Sequence, residues 1–275
     1  MCHPFFRDLY IAGCSIFFKL FVMEDIFIEG FRYLLGNLHV VFIRSMEVAV
    51  LETREGIKVI KMEMKVDDGL FVVHTAVLWD EEGAILVDTG IPGQLELIKA
   101  VLAEESIPFS KLKKIIITHQ DRDHIGSLPD IVDAFEGNIQ VLAHEAAVPY
   151  LAGKTPLIKS GSFATPVNVD HALTDGELLP DCGGIRVVYT PGHSPDHVSL
   201  YHLPSKTLIA GDALTAQDGV LMTFNPAFTP DKESGLQSIA KLSALDIETV
   251  IAYHGGVCTG NIKERLAELV ADTAL

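Results

Sequence analysis

Basic side chains are scarce in this 275-residue chain, with 21 Lys and Arg against 37 Asp and Glu and a formal net charge of −16. A surface that tracks phosphates normally shows a basic stripe. Lys61, Lys111, Lys113 and Lys114 form only short or scattered clusters, so nucleic acid is not expected as a partner or substrate. Cysteine is nearly as sparse. Cys2, Cys14, Cys182 and Cys258 show no CxxC spacing, which argues against a CxxC metal or redox motif and leads us to expect free thiols in a reducing cytoplasm. Long apolar runs are missing too. The longest uncharged run near the start, Leu9 to Phe18, falls well short of the ~20 residues that span a bilayer, and Arg7-Asp8, Lys19 and Glu24-Asp25 interrupt that region. No transmembrane segment is expected. Nor is a secretory signal, because Lys19-Leu20-Phe21-Val22-Met23 offers no small-residue cleavage site.

Residues 1–45 are atypical in another way. They hold Phe5, Phe6, Phe17, Phe18, Phe21, Phe27, Phe31 and Phe42, a concentration of aromatics foreign to the remainder of the chain. The segment reads as an amphipathic membrane-surface or partner helix, as an added structural element, or as an upstream extension outside the native protein with Met46 as its start. We favour the last, because the patterned part of the chain needs nothing before Met46.

What the rest of the chain does have is short apolar segments that stop at polar residues. Ile57 to Val66 alternates as a half-exposed strand does, and Leu70 to Leu78 and Ala84 to Asp88 read as buried strands around an Asp80-Glu81-Glu82-Gly83 turn. Leu95, Ile98, Val101 and Leu102 recur at helical spacing. Strands are then expected at Ile115 to Thr118 and Ile139 to Ala143, with a helix near Ser127 to Phe135 between them. A later helix is expected to start at Thr229 as cap, with Pro230 in its first turn.

The densest chemistry lies at Thr118-His119-Gln120-Asp121-Arg122-Asp123-His124, directly after Ile115-Ile116-Ile117. Imidazole nitrogen suits zinc or iron and carboxylate oxygen suits harder cations, so one loop offers ligands for two neighbouring ions. On an extended backbone His119, Asp121 and Asp123 would point one way and His124 would turn aside. Three further strand ends supply partners: His193 after Val187-Val188-Tyr189-Thr190-Pro191-Gly192, Asp212 after Thr207-Leu208-Ile209-Ala210-Gly211, and His254 after Val250-Ile251-Ala252-Tyr253. A lone His or Asp at a turn is usually only a turn residue. Four strand ends each carrying a ligand type point to a metal centre.

In this order of motifs the chain resembles the metallo-β-lactamase superfamily, whose pattern is HxHxDH, a His, a bridging Asp and a final His; the resemblance covers roughly residues 57–270. It implies an α/β fold, an αββα sandwich of two mixed β-sheets flanked by helices, formed by residues 46–275. It also implies that His119, Asp121 and His193 hold one metal ion, that Asp123, His124 and His254 hold the other, and that Asp212 bridges them. Two divalent ions are implied, zinc by default. Asp121 replaces the second histidine of the motif, giving HxDxDH, and a hard oxygen at that position makes iron or manganese plausible.

The implied activity is that of a dinuclear metal-dependent hydrolase using metal-bound hydroxide on a small carbonyl ester, thioester or lactone, with Asp123 also catalytic through the nucleophile or its proton. Asp88 and His197 are candidates to orient ligands from behind. His74 and Phe224 are candidates to line the substrate pocket, and the segment Met222 to Phe228 to wall it. Two alternatives stay open: a phosphodiesterase or nuclease of the same fold, since HxDxDH also occurs in such domains, and an iron-binding redox or oxygenase-type protein. Thr215 stands where related lactonases usually place a tyrosine.

Overall fold

Two six-stranded sheets share the chain between them, the first built before residue 174 and the second after residue 177. The computed structural model describes residues 55–66 and 69–272. The N-terminal segment 1–45, its boundary at Met46, and Cys2 and Cys14 lie outside them. Cys182 and Cys258 are buried free thiols.

The first sheet runs β1 (Gly56–Val66), β2 (Gly69–Trp79), β3 (Ala84–Val87), β4 (Leu112–Ile117), β5 (Gln140–His144), β6 (His171–Leu173) in spatial as in chain order. The first three are antiparallel neighbours and the last three join β3 in parallel. Parallel neighbours need crossover connections, and these carry α1 (Leu95–Glu104), the short α2 (Arg122–Ile125) with α3 (Leu128–Ala134), and α4 (Val148–Leu151). In the second sheet β7 (Leu178–Leu179), β8 (Ile185–Tyr189), β9 (Val198–His202) and β10 (Thr207–Gly211) are antiparallel in turn. A ribbon of β11 (Leu214–Gln217) and β12 (Val220–Thr223) and the helix α5 (Lys232–Ser243) then lead to β13 (Thr249–Ala252), parallel to β10, and to β14 (Gly256–Thr259) at the edge. The helix α6 (Ile262–Asp272) closes the described chain.

Period-two alternation explains why so many short strands are wholly apolar. Ile115 and Ile117 face a core shared with α1, α3 and α4, while Ile116 faces the other sheet. Likewise Leu208 and Val250 face α5 and α6, while Ile209 and Ile251 face inward. Each central strand is therefore buried on both faces. The result is helix, sheet, sheet and helix layers around three apolar cores, the αββα sandwich expected. The alternation of β1 slips at Val59-Ile60 for the same reason: Ile57 and Val59 lie against the inter-sheet core, and Ile60 and Met62 fill the helix-side core.

One expected boundary moves. The later helix starts not at Thr229 but after Asp231, whose carboxylate accepts from the Ser234 amide at 3.0 Å and from the Ser234 hydroxyl at 2.7 Å. Thr229 instead turns back, donating to the Asn225 carbonyl at 2.9 Å. A carboxylate with two donors in reach outcompetes the hydroxyl as cap.

At one end the two sheets are tied by backbone bonds. Val198 N–H donates to the Thr118 carbonyl and His74 N–H to the Tyr253 carbonyl, both at 2.9 Å. The β11–β12 ribbon leans on the same end, where Ala216 N–H donates to the His254 carbonyl at 2.9 Å. This contact needs Gly255. Its φ is +110°, and a Cβ there would come 1.8 Å from the Ala216 carbonyl oxygen. Gly255→Ala should therefore lower stability by about 2–6 kcal/mol, summing backbone strain and overpacking. Gly219→Ala, at φ +78° with open space around it, should cost only ~1–2 kcal/mol. Denaturant unfolding of the two variants checks the difference; equal losses would contradict it.

Candidate metal centre

Every candidate ligand sits just past the carboxyl end of a strand. The chain leaves β4 at Thr118, is extended at Asp121 (φ −65°, ψ 145°), and turns into α2 at Arg122. This differs from the fully extended loop expected from the sequence. His119 and Asp121 project from the extended part, but Asp123 and His124 lie on the first turn of α2, where each residue rotates by about 100°. The helix thus swings Asp123 and His124 toward a second position. Asp121 occupies the cap position, yet its carboxylate makes no capping bond and is left for other contacts.

Two sets of donor atoms result. His119, Asp121, His193 and Asp212 form one, and Asp123, His124 and His254 the other, with the donor atoms of each set within 4.8 Å of one another. In the first, Asp121 Oδ2 lies 3.2 Å from His119 Nε2 and 3.0 Å from His193 Nε2. Asp212 faces both sets: Oδ2 is 3.1 Å from His193 Nε2 and 3.4 Å from His254 Nε2, and Oδ1 is 3.4 Å from His124 Nε2. Asp123 Oδ2 is 3.5 Å from His254 Nε2 and 3.9 Å from His124 Nε2. All seven residues expected from the sequence are brought together.

The atoms that face inward fit a cation. His119 Nε2, His124 Nε2 and Asp212 Oδ1 are buried without any hydrogen-bond partner, an arrangement that proteins avoid unless something else satisfies those atoms. The tautomers agree. Thr118 Oγ1 gives its proton to Asp88 Oδ2 at 2.8 Å, so it accepts from His119 Nδ1 at 3.1 Å, and the lone pair of His119 falls on Nε2. Asp88 Oδ2 also accepts from His124 Nδ1 at 2.9 Å, which leaves the His124 lone pair on Nε2 as well.

Electrostatics point the same way. Burial opposes charge on His124, yet Asp88, Asp212 and Asp123 outweigh it and raise its pKa well above the ordinary imidazole value. Burial similarly opposes charge on His254, which Asp212 and Asp123 raise. Asp212 and Asp121 would be pushed up by burial but are held far below the usual carboxylate range, Asp212 by His124 and His254, Asp121 by His119, His193 and Lys159. The field that favours protons on these rings equally favours a metal ion between them. His193 is lowered, chiefly by burial, and so keeps the neutral form that binds metal.

Behind the donors, Asp88 is held at φ +59°, a strained backbone for a non-glycine residue. It accepts from the Thr118 amide at 2.8 Å, the Thr118 hydroxyl and His124. His197 is fully occupied: Nε2 accepts from the Asp212 amide at 2.9 Å and Nδ1 bonds Thr190 Oγ1 at 2.8 Å. Burial and the neighbouring His119 lower its pKa well below normal, so a neutral ring holds the Asp212 backbone. His74 reaches the Tyr253 carbonyl through Nδ1 at 3.2 Å, beside His254 in the chain. Tyr253 stacks on His124 with centroids 3.6 Å apart and donates its hydroxyl to the Asp123 carbonyl.

Phe224 is a correction. It is buried in the core with Ile239 and Leu242, because its ring fills the space beside the side-chain-free Gly235 of α5. The cavity near the centre, about 460 Å3, is lined instead by Phe228, Pro226, Ile158 and Lys159 among others. Sequence reasoning also missed Lys159, whose Nζ lies 2.5 Å from Asp121 Oδ2. It missed Asp196 as well, a fully buried carboxylate without a hydrogen-bond partner that burial keeps toward its protonated form. Asp196 stands between His193 and His197 and was within sight; nothing around Lys159 in the sequence marks it.

Comparison with known proteins agrees with this geometry. A family model described as the metallo-beta-lactamase superfamily matches residues 68–254. "Probable metallo-hydrolase YflN" of Bacillus subtilis (strain 168) is 31% identical over 214 residues, 67% of this chain and 80% of that protein. "Probable metallo-hydrolase YybB" of the same organism is 28% identical over 203 residues, 72% of this chain and 87% of that protein. Among solved structures, the metallo-beta-lactamase family protein TTHA1429 from Thermus thermophilus superposes with a TM-score of 0.61 at 24% identity, covering 80% of this chain and 79% of that one; the likeness is one of fold.

The Asp88 contacts yield a direct test. Asp88→Asn keeps the shape but presents an amide N–H to donors that now meet a carboxylate. It should weaken metal retention at Asp123, His124 and His254 by about 10–100-fold, read as metal content after dialysis against graded chelator. Unchanged retention would remove Asp88 from this role.

Proposed function

Because the chain belongs to the metallo-β-lactamase superfamily, we propose that it is a dinuclear metal-dependent hydrolase acting on a small carbonyl ester, thioester or lactone. The superfamily is one of metallo-hydrolases, and a candidate metal-binding cluster is present. The observation that carries the finer reading is the pair of donor sets sharing Asp212. His119, Asp121 and His193 would hold one ion, Asp123, His124 and His254 the other, and Asp212 both.

When bound, two divalent cations supply a water acidic enough to yield hydroxide near neutral pH and a Lewis acid for the scissile carbonyl oxygen. The protein's own groups set the geometry. Asp123, 23% exposed where Asp121 and Asp212 are 7%, is the carboxylate of the centre that solvent and substrate reach most readily. It is suited to orient the nucleophile or carry its proton, and Tyr253 fixes its backbone. Phe228, Pro226 and Ile158 offer an apolar wall for the acyl part of the substrate. A net charge of −16 disfavours nucleic acids and other polyanions.

Metal analysis of the purified chain, with assays on aryl ester, lactone, thioester and bis-aryl phosphodiester substrates, tests the proposal. Two ions per chain are expected, with carbonyl substrates hydrolysed best. His119→Ala or His193→Ala should lose one ion and His124→Ala the other. A single ion that added metal cannot raise would overturn the dinuclear reading, and phosphodiester cleavage with carbonyl substrates untouched would overturn the substrate class. Asp121 adds a second expectation. Its oxygen should let the wild type retain iron or manganese better than Asp121→His, which should shift toward zinc; competition dialysis with mixed metals checks this, and identical preferences would sink it.

A further inference from the structure

Lys159 reaches into the first donor set. Its Nζ lies 2.5 Å from Asp121 Oδ2 and touches His193 Nε2, two of the four donors of that set. No other Lys or Arg of the described residues pairs with either set. The second set has no such partner. Its carboxylate, Asp123, is the more solvated one.

The surroundings make Lys159 a charge on a movable stem. Gln120, fully buried, ties the segment to the centre: its Oε1 accepts from the Ile158 amide at 2.9 Å and its Nε2 donates to Asp121 Oδ1 at 2.6 Å. The backbone is thus anchored one residue away. The side chain itself is 31% exposed and lines the neighbouring cavity, with Nζ 5.8 Å from the centre of the Phe228 ring. A lysine has a flexible four-carbon stem and a compact ammonium, and an aromatic face accepts such a cation when it leaves an ion pair.

We propose that Lys159 is a tethered cation that competes with the first metal ion for Asp121 and His193, so that this site loads more weakly than the second and loading moves Lys159 toward Phe228. The proposal rests on reading the two donor sets as metal sites. It also gives Asp121 a reason. A carboxylate at this position can form an ion pair with an ammonium, whereas the histidine usual in the motif would present no charge for it. A buried carboxylate needs a positive partner at all times, and Lys159 supplies one whenever the metal is absent. His193 Nε2 has a single lone pair, which cannot serve both cations together, so at that atom occupancy by one excludes the other.

Calorimetric titration of the chelator-stripped full chain with zinc, paired with elemental analysis after desalting, tests this. Two binding steps of unequal affinity are expected. Lys159→Met should tighten the weaker step about tenfold or more and leave the other unmoved, while Lys159→Arg should keep the separation seen in the wild type. In a His193→Ala background, which lacks the weaker step, Lys159→Met should change nothing. Wild-type affinities at both steps in Lys159→Met, or loss of an ion, would overturn the competition alone. Failure of the wild type to bind zinc at either step would overturn the metal centre itself.

Discussion

Two buried carboxylates, Asp121 and Asp212, set the terms for everything around them. Each is almost fully buried, and an ionised carboxylate out of water is tolerated only with opposite charge or several donors beside it. Four histidine rings and the Lys159 ammonium crowd against them for that reason. The same need makes the centre a strong attractor for divalent cations, since one ion between Asp212 and its neighbours satisfies more charge than any single proton can. Asp88 repeats the logic one layer back, where a buried acid collects two bonds from Thr118 and one from His124.

Such a concentration of charge stands only on rigid supports. The ends of β3, β4, β8, β10 and β13 supply them, each strand buried on both faces or paired on both sides by neighbours. The strain lies at the ends rather than in the strands. Asp88, strained at φ +59°, bonds His124, whereas Gly211, at a φ of +54° that glycine adopts freely, precedes Asp212, and His197 packs so closely on Gly211 that a Cβ there would come 2.6 Å from its Nε2. That closeness is what lets His197 grip the Asp212 amide. Backbone strain of this kind persists where surrounding packing over-determines it.

The acidic character of the chain and the few cations near the centre act at different ranges. Over the whole chain the formal net charge is −16, and a net charge of that size acts at long range. Locally, Lys159 and Lys232 both line the cavity beside the first donor set, so that cavity carries positive charge within an acidic molecule. Short range decides what is held, and long range decides what arrives.

Much of this was legible in the residues themselves. Ile115-Ile116-Ile117 has the period of a strand buried on both faces, and the polar residues after it could only lie at a strand exit; the same holds for His193, Asp212 and His254. Local chemistry therefore determined the candidate ligands, the strand pattern and the α/β layering. Other features depended on contacts between residues far apart in the chain. The turn that places Asp123 on a helix, the choice of Asp231 over Thr229 as cap, and the burial of Phe224 beside Gly235 were each decided by which donor or gap lay nearest in space. Lys159 is the clearest case. Thirty-eight residues separate it from Asp121, no spacing rule links the two, and only the folded chain brings an ammonium to an acid that burial leaves in need of one.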